Sequence, residues 1–408
     1  MTTTLRVILD QIVAPVPGPI GRYTRDLGRA IVATAPRGCE VEAIVSSSLP
    51  EDYDRVQAEV PGLAGLYKTS LARRELAAAW QLGITTSPGS GMIHATSLFA
   101  PLRKHDRTTG GNQVVVTVHD VLAWTHPEAI SAASVTWQKG MMKRARKHAD
   151  AVVVPTHALA ERLQQVADLG DRVRVIGTAP RSGLVIGPDA EERAARLGLP
   201  REYIVVPGTL EPRKGLVDVF TALGRRGVPD VPVVVLGPES WGDQHVAEVA
   251  EELGVAASRI RHLDDLDAAD LAVVLRGSMA YVAPSHDEGS GTGLIEAFSL
   301  GVPVIHSDTP AYLEVSAGAG LGVPVGMADH GYADRLAAAV RGRRAARPDG
   351  GAHTSRRGIR RRRSPTRRPS PRAPRSRAGT RPAARAAGCS RSRDPRGRRR
   401  CREPAGRR

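Results

Sequence analysis

Three cysteines in 408 residues, Cys39, Cys389 and Cys401, are too few and too scattered for a disulfide framework or a zinc site. The reducing cytoplasm is the expected location. No apolar run reaches the roughly 18 residues that a membrane-spanning helix needs. The opening MTTTLRVILD has no charged segment followed by a long apolar one, so no secretory leader is expected. Residues 341–408 lack lysine altogether, and Ile359 is their only large aliphatic or aromatic residue. They hold 26 arginines and three acids, a net +23 against +16 for the whole chain, so the first 340 residues carry −7. The basic balance therefore belongs to the end of the chain. It gives no ground for a specific nucleic-acid partner of the rest.

That arginine-rich end cannot bury enough apolar surface to offset its ordering entropy, and a disordered basic tail over 341–408 is expected. It reads either as a polybasic arm for anionic lipid or nucleic acid, or as a GC-rich gene translated in a shifted frame. The change is abrupt and falls inside a helix pattern, Ala333 to Val340, which favours the frameshift.

Short apolar runs alternate with amphipathic stretches through the first 340 residues. Leu5–Leu9, Val41–Val45, Met92–Ala95, Gln113–Val118, Ala151–Val154 and Val173–Ile176 read as strands. Helices are expected over about Ile20–Ala33, Leu71–Leu82, Trp137–His148 and Ala158–Val166, the last capped by Thr156. Residues 50–90 otherwise give little pattern. After a loop-like stretch, 177–198, strands recur at Tyr203–Val206, Val231–Leu236, Arg259–His262, Ala280–Ala283 and Val302–Ile305. Helices at 244–253 and 268–275, and one begun at Asp308-Thr309-Pro310, separate them. This predicts two doubly wound parallel-sheet domains, 1–180 and 199–340, before the tail.

The organising stretch is Pro284 to Val304, PSHDEGSGTGLIEAFSLGVPV. A buried strand runs into a loop broken by Gly289, Gly291 and Gly293, then into a short helix bearing Glu296. Such a turn lets backbone N–H groups reach an anion, and the helix start adds unpaired donors. Glu288 and Glu296 beside a phosphate cradle suit a ligand whose hydroxyls lie near a phosphate. Any strand, glycine loop and helix shares part of this pattern; the two spaced glutamates are what single it out. The Glu-seven residues-Glu spacing, followed by Ala297, Gly301 and Pro303, resembles the donor site of family 4 retaining glycosyltransferases.

Three further stretches carry the resemblance. GTLEPRKG (208–215) is similar to the family's diphosphate-binding segment. VVVTVHDVLAWTHPE (114–128) is similar to its acceptor-side motif. GPIGRYTRDLGRAI (18–31) is similar to its first loop and helix, with Gly18 and Gly21 near the cleft. From residues alone, Arg213 and Lys214 could be two ordinary surface cations, and His119 a loop histidine paired to Asp120. GTAPRSGLVIGPD (177–189) departs from the family's usual Asn-Gly turn.

The resemblance implies the GT-B architecture, two Rossmann-like domains facing a cleft. It implies transfer of a hexose, mannose by analogy, from a GDP- or UDP-sugar to a lipid-linked or polysaccharide hydroxyl with retention of configuration. No metal and no cofactor are expected. Arg213 and Lys214 would bind the diphosphate, with Ser290, Gly291, Thr292 and Gly293 cradling it. Glu296 would hold the ribose and Glu288 the transferred sugar. His119 would contact sugar or acceptor, oriented by Asp120. Lys139, Lys143, Arg144, Arg146 and Lys147 form a basic helix that either touches an anionic membrane face or is simply solvated. The alternative to a transferase is a truncated, catalytically inactive protein that still binds a nucleotide-sugar. The family's usual last helix, crossing back to the first domain, is replaced by the tail.

Overall fold

The computed structural model describes residues 3–84, 91–106, 112–326 and 331–345, with side chains in the last helix through residue 342. They belong to one unit, Met1–Gly350. Residues 341–345 of the expected disordered tail are helical instead, continuing the pattern that begins at Ala333, and residues 346–408 lie outside the described residues.

The first half builds a parallel sheet of seven strands: β1 (Thr3–Ile8), β2 (Cys39–Ser47), β3 (Gly65–Ala72), β4 (Met92–Ala95), β5 (Val114–Thr117), β6 (Ala151–Val154) and β7 (Val173–Val175). Their order is β3-β2-β1-β4-β5-β6-β7. The helices are α1 (Gly18–Thr34), α2 (Pro50–Glu59), α3 (Arg73–Leu82), α4 (Leu122–Thr125), α5 (Ala132–His148) and α6 (His157–Val166). One core includes Ile44, Leu76, Trp80, Val116, Met141 and Leu163, and a second includes Val7, Leu9, Val41 and Val56. Strands covered on both sides need no polar alternation, which is why AVVV at 151–154 reads as an unbroken apolar run.

The second half repeats the plan with six parallel strands in the order β12-β9-β8-β13-β14-β15. These are β8 (Ile204–Pro207), β9 (Val233–Leu236), β12 (Ile260–Leu263), β13 (Ala280–Ala283), β14 (Val304–Ser307) and β15 (Leu321–Val323). A two-stranded hairpin, β10 (Ser240–Trp241) with β11 (Gln244–His245), follows β9. The helices are α7 (Ala190–Arg196), α8 (Leu216–Leu223), α9 (Val246–Glu252), α10 (Ala268–Gly277), α11 (Thr292–Ser299), α12 (Pro310–Ser316) and α13 (Gly331–Ala345). Phe220, Val233 and Val282 pack with Leu336, Ala337 and Val340, so α13 is part of this core.

In each sheet the strand order reverses beside the first strand, between β1 and β4 and between β8 and β13. Chains leaving the carboxyl ends there part to opposite sides and open a crevice, the place where open α/β sheets hold ligands. The loops after β1, β4, β5, β8 and β13 supply the site described below.

Several local expectations change. Residues 50–72 form α2 and β3; β3 is an edge strand with alternating partial exposure and lacks the apolar run that marks the inner strands. α5 starts at Ala132, before Trp137, because the Ser131 hydroxyl accepts from Ser134 N at 3.2 Å. The helix expected from residue 244 starts at Val246 behind the hairpin. Thr309 sits before α12, but neither it nor Asp308 caps the helix; Asp308 Oδ1 accepts from Val325 N at 2.8 Å instead. Gly21 lies inside α1, where a Cβ would stand 2.5 Å from Pro17 Cβ, so its packing against the preceding loop demands glycine.

Candidate active site

The site begins where β8 and β13 release their chains side by side. Pro212–Lys214 makes a single tight turn, followed by Gly215 at φ +69°. A Cβ on Gly215 would lie 2.4 Å from the Pro284 carbonyl oxygen, so only glycine lets the two loops approach this closely. His286 N donates to the Arg213 carbonyl at 2.7 Å, and Arg213 Nη1 donates to the Asp287 carbonyl at 3.4 Å. The Arg213 guanidinium also pairs with Glu211. Lys214 Nζ reaches Glu288 Oε2 at 3.1 Å. Arg213 and Lys214 therefore stand just before α8, across from the glycine loop.

Glu288 is held from three sides. Lys214 pairs with it, Gly289 N donates to Oε1 at 3.1 Å and the Tyr312 hydroxyl donates to Oε2 at 3.4 Å. Burial pushes its pKa up, but Lys214, the Gly289 N–H and Arg213 outweigh burial and hold it below the usual carboxylate range. It is ionised at neutral pH. Burial and the nearby Glu288 carboxylate both push the Tyr312 phenol well up, so it stays a neutral donor.

The glycines of the loop have distinct reasons. Gly291 takes φ +62° at the start of α11. A Cβ on Gly293 would collide with the Tyr281 hydroxyl at 2.0 Å, and one on Gly289 would meet the His119 carbonyl at 2.5 Å. Close packing thus accounts for Gly289 and Gly293 before any ligand is considered. The Thr292 hydroxyl donates to Thr178 and to Ser290, each at 3.3 Å.

From the first sheet, His119 follows β5. Its Nε2 lies 2.8 Å from the Thr96 carbonyl, and the Tyr23 ring meets it edge-on with centroids 4.7 Å apart. A carbonyl only accepts, so Nε2 carries the proton and Nδ1 keeps a lone pair. Burial, partly offset by the Thr96 bond and Asp120, lowers the imidazole pKa, leaving it neutral at pH 7. The expectation that Asp120 orients His119 is corrected: Thr96 and Tyr23 do, and Asp120 Oδ1 instead accepts from Leu122 N at 3.1 Å.

His119, Asp120, Arg213, Lys214, Glu288, Ser290 and Thr292 all line one cavity of about 300 Å³, together with Tyr23, Arg162 and Asp287. Glu296, Gly291, Gly293, Gly18 and Gly21 do not line it. Glu296 lies one turn behind Thr292 on α11, 6 % exposed, with both oxygens taken up by Arg181 at 2.8 and 3.4 Å. A second cavity of about 860 Å³ sits at the carboxyl ends of the first sheet, lined by Val13, Pro15, Leu98, Phe99, Trp137, Ser46 to Ser48, Arg73 and Arg74. Ile20, His119 and Asp120 line both cavities, so the two adjoin at the histidine.

The two halves are fastened beside the site by groups the sequence did not single out for this. Arg162 on α6 forks onto Asp287, with Nη2 to Oδ2 at 2.8 Å, and His126 Nδ1 lies 3.1 Å from the same carboxylate. Burial pushes the Asp287 pKa up, but Arg162, His126 and Arg213 reverse this and hold it low. Glu314 on α12 accepts from His157 N at 2.8 Å and Ala158 N at 2.9 Å, the open first turn of α6. The Thr156 hydroxyl donates to the Gly289 carbonyl at 2.9 Å. Asp287 adjoins Glu288 in sequence and Arg162 lies within a recognisable helix, but no spacing rule links positions 125 residues apart.

Residues 189–345 match the model for glycosyl transferases group 1, and residues 20–179 match the model for Glycosyltransferase Family 4. O-antigen chain mannosyltransferase B of Escherichia coli is 31 % identical over 141 residues, 34 % of this chain and 35 % of that protein. Phosphatidyl-myo-inositol mannosyltransferase of Mycolicibacterium smegmatis is 35 % identical over 135 residues, 32 % of this chain and 33 % of that protein. The matched stretches thus span about a third of these relatives' length. Among solved structures, Anabaena Alr3699/HepE in complex with UDP and glucose superposes with a TM-score of 0.59 at 17 % identity, covering 84 % of this chain and 89 % of that one.

Proposed function

The chain belongs to the glycosyltransferases that these two models describe, which together match most of its length, and from that premise we propose that it moves a hexose, mannose or a close relative, from a GDP- or UDP-sugar to a hydroxyl acceptor with retention at the anomeric carbon. The observation that carries the reading is Lys214 on Glu288 at 3.1 Å, with Arg213 beside them, in a cavity that His119 closes from the other sheet. Mannosyl transfer by the two relatives and the UDP held by the solved neighbour support the choice of sugar and donor.

In this mechanism Arg213 and Lys214 meet the donor diphosphate. As the anomeric C–O bond breaks, its electron pair passes to a β-phosphate oxygen. The two cations sit where that charge grows, so they stabilise the transition state more than the bound donor. The acceptor hydroxyl attacks from the face the diphosphate leaves, and its proton passes to the departing phosphate. Glu288, ionised, accepts from hydroxyls of the transferred sugar. His119 offers its Nδ1 lone pair to a sugar or acceptor hydroxyl. Glu296 holds the ribose, and the backbone from Ser290 to Gly293 assists the diphosphate. No metal is assigned a step.

The larger cavity beside His119 takes the acceptor, lipid-linked or polysaccharide. On α5, Lys139, Lys143, Arg146 and Lys147 are exposed while Arg144 turns inward to the Leu102 carbonyl at 2.8 Å. The outward four are proposed to rest on an anionic membrane face. Among the described residues, no helix is long and apolar enough to cross a membrane.

A transfer assay with a panel of GDP- and UDP-hexoses tests the proposal. One donor is expected to turn over with retained anomeric configuration. Nucleotide-sugar binding without transfer to any hydroxyl acceptor would replace it with the non-catalytic binding protein.

A further inference from the structure

Glu296 is buried, and the only hydrogen bonds recorded on its carboxylate among the described residues come from Arg181. Arg181 belongs to neither sheet. It lies in the passage between β7 and α7, the stretch whose sequence departs from the family pattern. That passage is fastened on both sides. Thr178 accepts from Thr292 on α11 at 3.3 Å, and Ser182 N donates to Asp26 on α1 at 3.4 Å. Arg22, one turn before Asp26, is lowered in pKa by its own burial and then by the charge of Arg181, with Glu296 opposing. The Glu296 carboxylate is thus paired to a guanidinium from the linker, and its charge also acts on Arg22 of the first half.

Paired to a planar fork, the Glu296 carboxylate cannot rotate away, while each oxygen keeps a lone pair for another donor. A pair of vicinal hydroxyls is the ligand that such a fixed, two-pronged acceptor suits. We infer that Arg181 is a positioning residue for nucleotide recognition, fixing Glu296 so that it reads the ribose diol, and tying that recognition to the linker between the two sheets. The inference rests on the proposed ribose role of Glu296.

Calorimetric titration of the full chain with UDP, GDP and their 2′-deoxy and 3′-deoxy forms tests it. Wild type is expected to favour the ribonucleotide by roughly tenfold, about the worth of one charge-assisted hydrogen bond. In Arg181→Met that preference falls to about one while affinity for the deoxy forms stays nearly unchanged; Arg181→Lys restores part of it, and Glu296→Gln matches Arg181→Met. A merely structural arginine would weaken all nucleotides alike. Retained preference in Arg181→Met with loss in Glu296→Gln overturns the inference and leaves the ribose reading standing. Retained preference in both variants, or no binding of either nucleotide, overturns both. Tighter ribonucleotide binding by Arg181→Met would make the arginine a plug and also overturn it.

Discussion

The two halves share one strand order but hold different side chains at the same topological place. At the reversal of the second sheet, charged groups converge: Lys214 on Glu288, and Arg213 on Glu211. At the reversal of the first, a neutral imidazole bonded to a carbonyl stands beside a large cavity walled by Leu98, Phe99 and Trp137, whose lining arginine Arg73 is already paired with Asp10. A doubly wound sheet supplies position, and its loops supply chemistry. Under the proposed function, the paired cations of the second half would meet the phosphorylated leaving group, and the neutral histidine of the first would meet a hydroxyl acceptor.

Removing the polar side chains from each half in turn is the sharpest way to break this contrast. Arg213→Ala with Lys214→Ala is expected to lower kcat by about 10²- to 10³-fold, the scale of losing a transition-state donor. Unchanged turnover would remove the electrostatic part of the mechanism. His119→Ala is expected to cost about fivefold in kcat/KM, expressed chiefly against the acceptor and with the diphosphate's affinity intact, one neutral hydrogen bond being worth about 1 kcal/mol. If His119→Ala instead abolished nucleotide binding, the division of labour between the halves would be wrong.

The join between the halves is tested by Asp287→Asn. Asp287 titrates below its ordinary range, so its clamp is fully present above the unfolded carboxylate pKa of about 4 and is lost as pH falls through the lower folded value. The variant should be about 1.5 to 3 kcal/mol less stable near pH 7, where Arg162 loses its charged partner. The gap should narrow as pH falls below about 4; a gap independent of pH would show that the ion pair is not its source. The smallest expected effect is that of Lys139→Glu with Lys143→Glu, which should weaken co-sedimentation with anionic vesicles and leave transfer to a soluble acceptor unchanged.

Legibility in the sequence follows burial. Ala280–Ala283 and Ala151–Val154 are read with the ends they have in the structure, because strands covered on both faces are continuous apolar runs. The edge strand β3 and the two-residue strands β10 and β11 have no such signature and escape. The expected parallel, doubly wound halves follow from the alternation of those inner strands with helices. At the site, residue types were legible but partners were not. Lys214 and Glu288 lie 74 positions apart, Arg181 and Glu296 115 apart, and each pair depends on how loops from separate strands or a linker return to one place. Gly289 and Gly293 illustrate the limit: sequence offers a phosphate cradle as their reason, while His119 and Tyr281 give them a steric one.

The central claim is that one diphosphate is gripped at the carboxyl ends of β8 and β13. A crystal structure with bound UDP or GDP tests it directly. The account predicts the β-phosphate within hydrogen-bonding distance of both Arg213 and Lys214, with the Glu288 carboxylate facing the sugar position. A diphosphate bound elsewhere, with the Lys214–Glu288 pair untouched, would contradict it.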